Sequence, residues 1–128
     1  MAELKKILYA EDEPDIQAVA QMALETIGGF EVVLCNSGLE ALEVAHDAAP
    51  DLILLDVMMP GLDGPETLLK LREIDSLKET PVIFLTAKAM PSEVDRFKAA
   101  GAVDVIAKPF DPISLSDQIR TIWDSCTD

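Results

Sequence analysis

Residues 51–64 read DLILLDVMMPGLDG, and this stretch decides the fold. Leu52, Ile53, Leu54 and Leu55 form an unbroken apolar run that ends on Asp56. A strand with one face in water alternates apolar and polar residues. An unbroken run is expected where helices cover both faces of a parallel sheet. Pro60-Gly61-Leu62-Asp63-Gly64 is then a dense cluster of breakers, so the run empties into a loop. Asp56 therefore stands at the carboxyl end of a buried strand.

The same construction recurs along the chain. Lys6–Ala10 (KILYA) runs into Glu11 and Asp12, Val82–Leu85 (VIFL) into Thr86, and Val103–Ala107 into Lys108, which Pro109 follows. Phe30–Cys35 (FEVVLC) is a fifth run. Between the runs lie helical patterns. Ile16, Val19, Ala20, Ala23, Leu24 and Ile27 fall on one helical face, which Gly28-Gly29 stops. Asn36 or Ser37 caps a second helix through Leu39, Leu42 and Ala45, ended by Pro50. Leu68 and Leu71 point inward from a third, and Pro91 opens a fourth that carries Val94 and Phe97 and stops at Gly101. Asp111-Pro112 opens the last, with Leu115, Ile119, Ile122 and Trp123 on one stripe. Five strand–helix units with right-handed crossovers make an α/β, doubly wound, five-stranded parallel sheet. Its common order is 2-1-3-4-5. With 128 residues the chain is expected to be a single domain, 1–128, with its core at about 6–125.

Composition narrows the function. The formal charge is −14, and no Lys or Arg occurs between Ile7 and Leu69. Such a surface repels nucleic acid and anionic membranes, so neither is an expected partner. No apolar stretch is long enough to span a bilayer, and the start (MAELKK) lacks the apolar core of a secretory signal, so the expected setting is the cytoplasm. Cys35 reads as a buried thiol and Cys126 as an incidental one, not as a disulfide. His46 reads as a surface residue away from any site.

In open α/β sheets, ligands bind beyond the carboxyl ends of the strands, where the strand order reverses. In the order 2-1-3-4-5 that point lies between strands 1 and 3, beside Glu11, Asp12 and Asp56. Three carboxylates so close repel one another unless a cation intervenes. All-oxygen ligation favours a hard ion, Mg²⁺ (or Mn²⁺), and the absence of a Cys/His cluster argues against zinc. An aspartate beside such an ion can serve as ligand or as phosphoryl acceptor. Lys108 supplies positive charge and Thr86 a hydroxyl hydrogen bond. Taken singly, each is an ordinary strand-end polar residue, and Glu13, Asp15 and Asp63 suit helix N-termini. Their joint placement on strands 1, 3, 4 and 5 carries the reading.

The segments ILYAEDEPD, DLILLDVMMPGLDG, PVIFLTAKA and GAVDVIAKPF together resemble the receiver domains of two-component response regulators, from about Lys6 to Ser125. The resemblance implies a (βα)5 flavodoxin-like receiver fold and a phosphorylation-dependent signalling role rather than an enzyme's. Asp56 is then the phosphoacceptor. Asp12, Asp56 and the Met58 carbonyl ligate Mg²⁺, and Glu11 acts at the acidic pair, through water. Thr86 and Lys108 bind the phosphoryl group, and the Lys108–Pro109 bond is cis. Met58 and Lys88 are placed to control water access. The donor is a phosphohistidine on a sensor histidine kinase or a histidine phosphotransfer protein. The output is a protein target met through the face of helix 4, strand 5 and helix 5, directly or as a phosphorelay step.

Two positions depart from the family pattern. Glu11 stands where many members have Asp. Val105 stands where many carry a Tyr or Phe that swings inward on activation. Alternatives fare less well. An unphosphorylated binding module is usually marked by loss of the Asp or Lys, and both are present. A phosphohydrolase needs a carboxylate two residues after the nucleophile, where Met58 stands. A flavin site needs a Ser/Thr/Gly-rich loop after strand 1. Trp123 suits either packing at the edge of the last helix or anchoring a partner; an exposed patch there would favour docking or a weak homodimer.

Overall fold

The computed structural model describes residues 3–87 and 89–126. Its strands are β1 (Lys6–Ala10), β2 (Glu31–Cys35), β3 (Leu52–Asp56), β4 (Val82–Thr86) and β5 (Asp104–Ala107). Its helices are α1 (Pro14–Met22), α2 (Gly38–Ala48), α3 (Gly64–Leu71), α4 (Pro91–Ala99) and α5 (Leu115–Cys126). The sheet is parallel throughout, in the order β2-β1-β3-β4-β5, as the sequence predicts.

Alternation along the strands divides the core in two. Ile7, Tyr9, Leu54, Leu85 and Ile106 meet Ala20, Leu24 and the α5 residues Leu115, Ile119 and Trp123. Leu8, Ile53, Leu55 and Phe84 meet Ala41 and Ala45 of α2, Leu68 and Leu71 of α3, and Phe97 of α4. Every residue of β3 and β4 is buried, which is why both read as unbroken apolar runs.

The local signals act as their chemistry dictates. The Ser37 hydroxyl accepts from the Glu40 amide, and Pro91 occupies the first turn of α4. Asp63 and Glu66 form a reciprocal capping box at α3. Gly64 is needed there because a Cβ would stand 2.8 Å from the Asp56 carbonyl oxygen and 2.9 Å from Val57 Cα. A side chain at 64 would push α3 away from the acceptor strand.

Three expectations need correction. The first helix is not uniform: Ala23–Ile27 is a π-turn that inserts an extra residue into the last turn. The end of this turn rotates off the predicted stripe, so Ile27 is exposed, as is Val19 at the stripe's edge. In α2, Leu39 is exposed, and the buried line is Gly38, Ala41 and Ala45. The last helix begins at Leu115. Asp111 instead caps a preceding turn, its Oδ1 accepting from the Ile113 amide at 3.0 Å. Trp123 is buried in the α5 core stripe, which favours packing over anchoring. Cys35 is buried and Cys126 exposed, both free. No helix among the described residues is long and apolar enough to cross a membrane.

Candidate functional site

The register of the strands assembles the site. Ala10 pairs with Leu55, Asp56 with Leu85, and Thr86 with Ala107. The ladders continue one step past several strand ends: the Glu11 amide donates to Cys35, that of Val57 to Leu85 and that of Lys108 to Thr86. Glu11, Asp56, Thr86 and Lys108 are thereby held along one edge by backbone bonds, and Asp12 follows Glu11 in the chain. Glu11 is fully buried, and Asp56 and Thr86 are nearly so.

Lys108 is the electrostatic centre. Its Nζ lies 2.9 Å from Asp56 Oδ1 and 3.0 Å from Glu11 Oε1. Burial alone depresses the Lys108 pKa, but these two carboxylates outweigh it and hold the ammonium above its ordinary value. Burial pushes the Glu11 carboxyl upward; the hydrogen bond from Lys108 opposes the rise, and the charge of Asp56 adds to it. The Glu11 Oε1 also accepts from the buried Tyr9 hydroxyl at 3.1 Å. Tyr9 is held far above the ordinary phenol value by burial and by the Glu11 charge, so it stays protonated and donates to Glu11.

Two buried oxygens have no partner among the described residues: Asp12 Oδ1 and Asp56 Oδ2. One carboxylate oxygen each from Glu11, Asp12 and Asp56 lie within 4.8 Å of one another. Among the described residues, three carboxylates against the one ammonium of Lys108 leave the cluster short of positive charge. Orphaned oxygens in an all-oxygen cluster fit a hard divalent cation. Unpaired buried carboxylate oxygens are otherwise costly.

The surroundings are equally defined. Gln17 Nε2 donates to Asn36 Oδ1 at 2.8 Å and to the Glu11 carbonyl, tying the β1–α1 loop to the β2–α2 loop. A hollow opens beside Asp56, lined by Ile16 and Val19 of α1 and by Met58, Pro109 and Phe110. Met58 is largely exposed at its rim; Lys88, paired with it in the sequence reading, lies outside the described residues. The Lys108–Pro109 bond is cis. Val105 is half-buried against the α2–α3–α4 side of the core. Tyr9 and Gln17 escaped the sequence reading. The available signal for Tyr9 was a lone hydroxyl in an otherwise aliphatic strand.

A doubly wound sheet whose β1, β3, β4 and β5 ends carry an acidic pair, an aspartate, a threonine and a lysine defines a signalling receiver. The chain belongs to the response regulator receiver domain family, whose model matches residues 7–120. The response regulator Rre1 of Synechocystis sp. is 36% identical over 122 residues, covering 95% of this chain and 53% of that protein. The transcriptional regulatory protein CseB of Streptomyces avermitilis is 40% identical over 122 residues, covering 95% and 50%. The chain thus spans about half the length of these relatives. Among solved structures, the Vibrio cholerae chemotaxis protein CheY4 superposes with a TM-score of 0.86 at 32% identity, covering 94% of this chain and 99% of that one. The chain is therefore a receiver domain of two-component signalling, a signalling module rather than a conventional enzyme.

Proposed function

We propose that Asp56 accepts a phosphoryl group from a phosphohistidine on a sensor histidine kinase or a histidine phosphotransfer protein, and that the phosphorylated chain changes its protein contacts. One observation carries this reading. Asp56 is buried with Oδ1 on Lys108, while its Oδ2, like Asp12 Oδ1 in the same acidic cluster, has no partner among the described residues. In the transfer, an Asp56 oxygen forms a P–O bond as the donor's P–N bond breaks. The donor ring, protonated on its other nitrogen, leaves as neutral imidazole. Asp12, Asp56 and the Met58 carbonyl would hold Mg²⁺ or Mn²⁺, with Glu11 acting through water; the bound ion neutralises charge on the phosphoryl oxygens. Lys108 exchanges a carboxylate for a phosphoryl oxygen, and the Thr86 hydroxyl donates to another. The chain's own chemistry is limited to gaining and losing this group.

The hollow beside Asp56 is open to a donor's imidazole between α1 and the segment at Pro109 and Phe110. A cytoplasmic setting suits such a donor. The downstream target is a protein bound at the face of α4, β5 and α5, and the acidic surface disfavours nucleic acid as a direct partner. Val105 offers no ring to swing, so switching here works by other means than that movement or couples weakly to this face. Incubation with Mg²⁺ and acetyl phosphate, followed by intact-mass measurement, is expected to show one added phosphoryl group. The adduct should vanish in Asp56→Ala and on chelation. A folded wild-type protein that never gains the mass would instead be an unphosphorylated binding module.

A further inference from the structure

We infer that Tyr9 is a positioning residue: its hydroxyl holds the Glu11 carboxylate in the orientation from which the acidic cluster takes its divalent cation. Tyr9 is fully buried in the core between the sheet and the α1 and α5 helices, among Ile7, Leu54, Leu85 and Ile106. Packing alone does not call for a hydroxyl there, since phenylalanine fills the same space. A buried phenol needs a partner, and the one found is Glu11 Oε1, at 3.1 Å. Tyr9 and Glu11 are two residues apart along β1 and its continuation, so both face the same side of the sheet.

The geometry explains how a glutamate works at this position. Its extra methylene adds a rotatable bond, so an unrestrained Glu11 carboxylate has more orientations than an aspartate's. Here Oε1 is fixed from two sides, by Tyr9 and by Lys108 Nζ at 3.0 Å. Oε2 has one weak contact, the Glu13 amide at 3.4 Å, and the carboxylate so held contributes an oxygen to the acidic cluster. Lys108 is mobile in principle and is needed elsewhere once a phosphoryl group arrives. The Tyr9 ring, clamped in the core, is the contact that persists. Outer groups of this kind orient metal-binding carboxylates and affect ion affinity without touching the ion.

This inference rests on the cation site proposed above, and its test separates the two. Mg²⁺ affinity is measured by calorimetry for wild type, Tyr9→Phe, Glu11→Asp and the double variant. Tyr9→Phe is expected to weaken Mg²⁺ about threefold to tenfold in the wild-type background. In the Glu11→Asp background, where the shorter carboxylate draws away from the phenol, it should cost less than about twofold. A purely structural tyrosine would cost the same in both. Independently of any variant, Tyr9 is the chain's one tyrosine, so a ¹³Cζ-tyrosine label reports on it alone. Its resonance should shift along the Mg²⁺ titration with the calorimetric midpoint. Equal costs in the two backgrounds, or a resonance that Mg²⁺ leaves still, would overturn the role of Tyr9. Failure of wild type to bind Mg²⁺ at all would overturn the cation site itself.

Discussion

At the scale of single residues, the site stores an electrostatic conflict. Glu11, Asp12 and Asp56 are brought together with one lysine between them, and two of their oxygens have no partner among the described residues. Binding sites commonly sacrifice stability in this way. Glu11 shows it most directly. Its folded pKa is raised, by burial first and by Asp56 as well, so folding favours the protonated carboxyl. The stability this group contributes is complete below the pKa of an unfolded glutamate and is lost as pH rises through the raised folded value. In chelator, the urea midpoint of wild type should therefore fall relative to Glu11→Gln as pH climbs from about 4 to about 7. Glutamine keeps the size and removes the titration, so the difference between the two curves isolates Glu11. Parallel curves would mean that the carboxyl titrates as it does in the unfolded chain. The charges that make this conflict were legible in the sequence as strand-end acids. Its depth was not, because the sharing of Lys108 between Glu11 and Asp56 depends on side chains from the ends of β1, β3 and β5 meeting in space.

At the scale of elements, apolar runs and turn chemistry placed all five strands within a residue, since β3 and β4 are buried on both faces and nothing competes with that pattern. The helices were less legible where tertiary contacts intervene. The π-turn at Ala23–Ile27 is held from α5: Ser116 Oγ donates to the Ala23 carbonyl, which also accepts the Gly28 amide. A contact across 93 residues leaves no local trace. The end of α2 shows the reverse, a local choice that the sequence makes poorly. Ala49 caps this helix at φ 47°, the left-handed region, where a Cβ is strained. It is exposed, so nothing in the core depends on its methyl group. Ala49→Gly should stabilise the protein by about 0.5–1 kcal/mol, read as a higher urea midpoint at unchanged slope. A lower midpoint would show that the unfolded chain's gain in freedom outweighs the relieved strain.

At the scale of the whole molecule, local strain and global charge act together. The chain carries a formal charge of −14, and the site adds buried acids to a surface already short of cations. Folding gathers these charges, whereas the unfolded chain spreads them, so self-repulsion opposes the compact state. Added salt screens the surface charges, with a Debye length of about 8 Å at physiological ionic strength. It reaches the buried cluster far less. Two separable effects follow. Sodium chloride should raise the thermal midpoint of wild type and of Asp56→Ala alike, because both have the same acidic exterior apart from one buried group. Mg²⁺ at matched ionic strength should raise wild type further, by about 1.4 kcal/mol when the ion is at ten times its dissociation constant. That corresponds to about 3–6 °C for a domain of this size. Asp56→Ala, lacking one of the orphaned oxygens, should lose most of this excess while keeping the response to sodium chloride. Differential scanning calorimetry of both proteins in the two salts makes the comparison. Should Mg²⁺ do no more for wild type than sodium chloride of equal ionic strength, its action would be diffuse screening of the exterior, and the carboxylates at the strand ends would not form a cation site.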